Sequence, residues 1–228
     1  MSQQPVSAEE LERLGHEAST LRASIDRSVE SGDLAYAAKV NIDLGDLLQE
    51  AGDRDGAESA YRQAVALSRQ VDSAMPELTL WAFSALVNFL APSQESIALG
   101  YEMATTLIER REMYHPMRAA EAVQCWAIAE LAFAETVPGR VDHAVNDVAR
   151  QAIEMLDGVC FHDKAQALQR HVAETLRRVG HDIEADYWQY EADRYEQWEM
   201  FMDQEIPGHV HLWDIRIDLS DREGFTTQ

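Results

Sequence analysis

His209-x-His211 puts two imidazoles on one side of an extended strand, and Asp214 follows close behind as a further metal-type ligand. Two ligands make only half of a metal site, because a bound zinc needs three or four. Glu112 and His115 have the E-x-x-H spacing of carboxylate di-iron bundles, but such a site needs a second copy and the chain has none. His115 also precedes Pro116, where a helix should be starting. Cys160 lies beside His162, and Cys125 adjoins Trp126 in an apolar helix that suits a buried thiol better than an activated nucleophile. There is no G-x-S-x-G, no phosphate-binding glycine loop and no dinucleotide fingerprint. Enzyme activity is therefore not expected, and neither a metal nor another cofactor is.

The elements that must position these side chains show themselves in the stretch Leu44 to Ala64, LGDLLQEAGDRDGAESAYRQA, whose skeleton returns three more times. Aligned on turn residues, Gly52, Ser93, Gly139 and Gly180 are each followed five positions later by Ala57, Ala98, Ala144 and Ala185. Seven further on stand Ala64, Thr105, Gln151 and Ala192, and eight before the turns stand Leu44, Ala85, Leu131 and Val172. Apolar residues recur at spacings of three and four, as in Leu44, Leu47, Leu48 and then Ala57, Ala60, Tyr61, Ala64, which is helical rather than strand spacing. The turn residue can close the first helix of a pair, and the small residue after it lets the second helix approach closely.

With Leu44, Gly45, Leu48, Ala57, Tyr61 and Ala64, the first window resembles the tetratricopeptide repeat family; Leu131, Ala132 and Ala144, and Val172, Ala173, Leu176, Ala185 and Ala192, carry the likeness into the later windows. The second keeps little beyond Phe89 and Ala98. The resemblance implies an all-α, right-handed α-α superhelix of about nine helices over residues 1–206, with an extended tail over 207–228. The four alanines are 41, 46 and 41 residues apart instead of the family's usual 34, so helices must be longer or loops larger. Arg69 also replaces the family's closing proline.

Breakers and periodicity place a leading helix over 8–31 and pairs at 33–51 with 54–72, 76–91 with 94–112, 116–136 with 141–158, and 163–179 with 182–204. In the family, the first helix of each pair lines a concave surface. Carried over by position, that surface takes Lys39, Ile42, Asp46 and Gln49, then Leu80, Phe83, Val87 and Leu90. It continues with Trp126, Ala129, Phe133 and Thr136, then Ala167, Arg170, Glu174 and Arg177, flanked by His171 and Arg178. It begins acidic, turns apolar and ends basic. The expected partner-binding residues are Leu80, Phe83, Val87, Leu90, Trp126, Phe133, Arg170 and Arg177, since a well-buried aromatic anchor supplies ~2 kcal/mol or more. The run LTLWAFSALVNFLA reads equally as a helix buried on all sides. Asp43, Asp46 and Glu50 oppose a clamp for a C-terminal carboxylate.

The resemblance implies a protein-interaction module, an adaptor, scaffold or chaperone-like protein, whose partner is another protein or peptide. The formal net charge of −22 makes nucleic acid and anionic membrane surfaces unfavourable partners, and no apolar run reaches the length of a membrane span. That charge supports a second reading, an acidic regulatory or inhibitory protein that mimics nucleic acid or engages a basic protein. Two isolated cysteines and the lack of a secretory signal make the cytoplasm the expected location.

After Pro207-Gly208 the tail HVHLWDIRIDL alternates apolar and polar residues like a strand. Its apolar face must be buried on the helices in cis, or against a second copy in a homodimer. The preceding helix mixes aromatic and acidic residues around a single Arg194. Trp188, Tyr195, Trp198 and Met202 share one stripe, as a capping helix needs, and the remainder could form an acidic-aromatic patch for a basic partner.

Overall fold

The structure is a computed structural model, and it describes residues 8–198. The 207–228 tail, with His209 and His211, lies outside the described residues, as do Met202 and the side chains of Tyr195 and Trp198. All regular structure among the described residues is helical, with α1 (Ala8–Ser31), α2 (Leu34–Glu50), α3 (Arg54–Val71), α4 (Pro76–Leu90), α5 (Gln94–Glu109), α6 (Pro116–Ala134), α7 (Arg150–Gly158), α8 (His162–Arg178) and α9 (Asp182–Trp198). A π-helical segment, His143–Ala149, leads directly into α7. None of these helices is long and apolar enough to cross a membrane.

Four interhelical turns use one device. At Gly32, Gly52, Cys160 and Gly180 the backbone enters the left-handed region, with φ of 80°, 81°, 62° and 85°. In each turn the next residue's N–H donates to the carbonyl five residues back: Asp33 to Ser28, Asp53 to Leu48, Phe161 to Leu156 and His181 to Leu176, at 2.8–2.9 Å. This is the Schellman closure, which satisfies carbonyls that a helix end leaves open. Asp33 and Asp53 then cap the following helices by accepting from Tyr36 N and Gly56 N. Ser93 has a different part from Gly52: its extended backbone and hydroxyl cap α5, accepting from Ser96 N. Gly139 sits in a 3-10 turn, Pro138–Arg140.

The chain divides into two compact units, Met1–Phe89 and Leu90–Gln228. In the first, α1 lays Leu14, Ala18, Ile25 and Ser28 along α2, a stripe at helical spacing. Helices α2 and α3 are closely paired, and a three-residue connection makes them antiparallel. Tyr61 of α3 is buried against Gly45 of α2, where an added methyl would meet the ring at 2.5 Å. The Leu-Gly of the first window is thus the seat of the Tyr61 ring. Its hydroxyl donates to Asp46 Oδ1 at 2.6 Å, and burial together with that carboxylate pushes the phenol well above its ordinary range. Helix α4 runs back along α3: Thr79 donates to Ser68 O, Arg69 lies over Phe83, and Tyr61 packs on Phe89 at 5.2 Å.

The small-residue register differs in the second window. Ala57, Ala144 and Ala185 are fully buried, but Ala98 is exposed. Ile97, Gly100, Tyr101 and Ala104 are buried instead, one residue out of step with the ungapped alignment and in step with Ala57, Ala60, Tyr61 and Ala64. Gly100 there is the seat of Trp126, whose ring occupies the space a side chain would need.

Gly100→Ala is expected to lower the unfolding free energy by about 1–3 kcal/mol through overpacking, measured by chemical denaturation. Cys160→Gly should raise it by roughly 0.5–1 kcal/mol, the left-handed strain relieved less the added freedom of the unfolded chain; no gain would mean the turn carries no strain.

Candidate functional site

Within the second unit the first helices of consecutive pairs stand side by side. Glu121 near the start of α6 meets Lys164 near the start of α8 at 2.5 Å, and Glu135, just past the end of α6, meets Arg178 at 2.6 Å and Thr175 at 3.2 Å. The two helices therefore run parallel. Helices α7 and α9 also pack on α8, and Arg150 at the start of α7 lies over the Trp188 ring of α9 at 5.5 Å. Burial alone would raise the Glu121 carboxyl, but Lys164 and Arg118 hold it below the usual carboxylate range.

These two helices carry part of the expected surface. Phe133 is half-buried, Thr136 is exposed, and α8 contributes exposed Ala167, Glu174, Arg177 and Arg178 beside half-buried Arg170 and His171. Burial pushes the His171 imidazole below its ordinary value; Glu174 and Glu135 oppose that and Arg178 adds to it. Arg177 reaches Asp186 of α9 at 3.4 Å, and Arg178 also contacts Glu174. The α6–α8 seam is a mixed-charge strip.

The other expected anchors lie inside. Leu80, Phe83, Val87 and Leu90 are buried, and Trp126 is fully so. The outward side of α4 carries Glu77, Trp81 and Asn88, so the carried-over positions there point into the core. Helix α6 is mostly apolar and packs against α5, α7 and α8; its buried alanines, among them Ala119, Ala127 and Ala134, allow that crowding.

In this apolar helix sits Glu130, with 0% of its surface exposed. Arg140, from the turn after α6, donates through Nη2 to both carboxylate oxygens at 3.0 and 3.1 Å. The same Nη2 lies 3.3 Å from Tyr101 Oη, which is 2.8 Å from His143 Nε2; His143 Nδ1 is 2.9 Å from Asp147 Oδ2. Burial, the largest influence, pushes the Glu130 carboxyl above its usual range; Arg140 and, more weakly, His143 and Trp126 act against it. Trp126 Nε1, fully enclosed, makes no hydrogen bond of normal geometry, while its ring meets Tyr101 edge-on at 5.1 Å. The hydroxyl and imidazole are engaged with each other inside the packing, so the network ties α5, α6 and the π segment together rather than presenting a nucleophile.

The sequence reading missed this network, although it had a signal: Glu130 is the one acid in the stretch VQCWAIAELAFA. Its partners come from residues whose spacing forms no motif. Among the described residues no group of three His, Cys, Asp or Glu comes together as a metal site would require. Glu112 lies in a 3-10 turn, and His115 caps α6 by accepting from Met117 N. Cys160 is exposed, and His162 is turned to Asp157 at 3.4 Å.

Arg140→Met should cost about 3–5 kcal/mol by leaving a buried carboxylate unmatched, and Glu130→Met with Arg140→Leu should recover most of that in denaturant titrations. Because the folded His171 binds a proton less readily than the unfolded chain does, the protein should lose stability as pH falls below about 6.5. His171→Gln should flatten that acid-side loss when melting temperatures are followed across pH.

Comparison with protein-family models, with curated proteins and with solved structures finds no match to this chain.

Proposed function

We propose that this chain is a protein-interaction module that holds a peptide or protein segment against the first helices of its pairs. What supports the reading most is the parallel seating of α6, which carries half-buried Phe133, beside α8, which carries Arg170 and Arg177. An apolar ring beside guanidinium groups suits a segment carrying an apolar side chain near carboxylates, with the ring giving affinity and the charges orientation. The reading includes the tetratricopeptide-like superhelix that the sequence implies, and it assigns no reaction to any residue. Leu80, Phe83, Val87, Leu90 and Trp126 serve it by building the support rather than by touching the partner.

The test is affinity capture from the native cell with the wild type and with Phe133→Ala plus Arg177→Glu. A partner retained by the wild type in about 0.5 M salt and lost by the double variant is the expected result, since contacts with an apolar anchor outlast charge screening. Identical captured partners would place the binding face elsewhere. Capture that vanishes in salt for both proteins would favour the acidic regulatory reading.

A further inference from the structure

Helix α9 has two sides of opposite character. Ala185, Trp188 and Ala192 are buried, as a capping helix requires. On the other side Ile183, Tyr187 and Tyr190 are 89%, 53% and 61% exposed. Their spacing of four and three makes one stripe, about 10 Å long at 1.5 Å per residue. At 100° per residue, Asp182, Asp186 and Asp193 border the stripe on one flank, and Glu184 and Glu191 border the other. The lone cation of the helix, Arg194, is paired with Glu191 at 3.1 Å and lies over the Tyr190 ring at 5.8 Å.

We infer that this face is a second docking surface, touching the α6–α8 face only where Asp186 meets Arg177, and that it takes an amphipathic helix whose apolar stripe is flanked by Lys or Arg. An apolar ridge between two acidic rims is the complement of an apolar ridge between two basic ones. Charge argues against the other occupants. A second copy would bring the same five acids against these five. The chain's own 209–219 segment sets Asp214 and Asp218 against a single Arg216. A cation on the partner also finds tyrosine faces here, and the Arg194–Tyr190 contact already uses one in this way.

The probe is a synthetic fourteen-residue amphipathic peptide with Leu at positions four, three and four apart, bordered by Lys. One control replaces Lys with Glu, and another reorders the residues so that the leucines share no face. Titrated by calorimetry against the full chain, the lysine peptide should bind at least about tenfold more tightly than either control. Ile183→Ser with Tyr187→Ser, both at exposed positions, should weaken it by at least about tenfold, and Glu184→Gln with Asp186→Asn should weaken it while reducing its salt dependence. No binding of the lysine peptide, equal binding of the reordered peptide, or an unchanged affinity in the serine variant overturns the proposal. So does a dimer in sedimentation that the serine variant dissociates, which would make a second copy the occupant. Amide protection over 209–219 that the same variant abolishes would make the tail the occupant and would equally overturn it. Phe133→Ala should leave this binding unchanged, which separates it from the α6–α8 reading.

Discussion

A carboxylate buried in the apolar stretch of α6 governs how the second unit is built. Glu130 has no exposed surface, and an isolated buried charge is costly enough that it must be matched by a cation or be protonated. The match is Arg140, and to supply it the chain must turn back sharply after α6 and bring the 138–140 turn against the helix it has just left. Arg140 also binds Tyr101, so α5 is drawn to the same point. The next helix must then place His143 on Tyr101 and still bury a small residue further along. The π segment His143–Ala149 reconciles these demands: its wider winding takes in one extra residue, and the buried small residue downstream is Ala152 rather than Gln151. The irregular backbone thus lies where a polar network and a packing register compete.

Repetition is clearer in the backbone than in the side chains. Four turns share one hydrogen-bond pattern and one left-handed residue, and three of those residues are glycine. The fourth, Cys160, was invisible as a turn signal because a β-carbon at that position is disfavoured and no propensity scale anticipates it. Helix ends were legible because Gly52, Gly180, Pro76 and Pro116 act locally, each on its own few residues. The register of α5 was not, since Ile97 and Gly100 take the places of alanines through packing against Trp126, a partner in another helix.

The same distinction separates the parts of the candidate site. The parallel seating of α6 beside α8 follows the regular pairing that the repeat positions assume. Leu80, Phe83, Val87 and Leu90 were assigned by the same rule, yet α4 turns that stripe inward and shows Trp81 instead. In the most degenerate window the sequence holds apolar residues on every side, so periodicity cannot say which side is out. The polar network was beyond reach for another reason. Tyr101, Glu130, Arg140 and His143 span four elements, and the geometry that joins them exists only after the helices have packed.

The net charge of −22 acts outward because many of the chain's cations are already engaged. Arg140 is buried on Glu130, Arg178 is shared by Glu135 and Glu174, Arg177 leans to Asp186, Lys164 faces Glu121, and Arg194 faces Glu191. These pairings join α6 to its turn, α6 to α8 and α8 to α9, so they take up positive charge along the seams between elements. The acids in excess of them are left on outer faces, above all along α9, where Asp182, Glu184 and Asp193 are exposed. Part of the charge imbalance is therefore laid out in space, with these basic groups along the packing seams and the α9 acids toward solvent. An incoming molecule meets an acidic field first and the guanidinium groups of α8 only at contact range, because screening limits the reach of a few partly paired cations to about 8 Å at physiological salt.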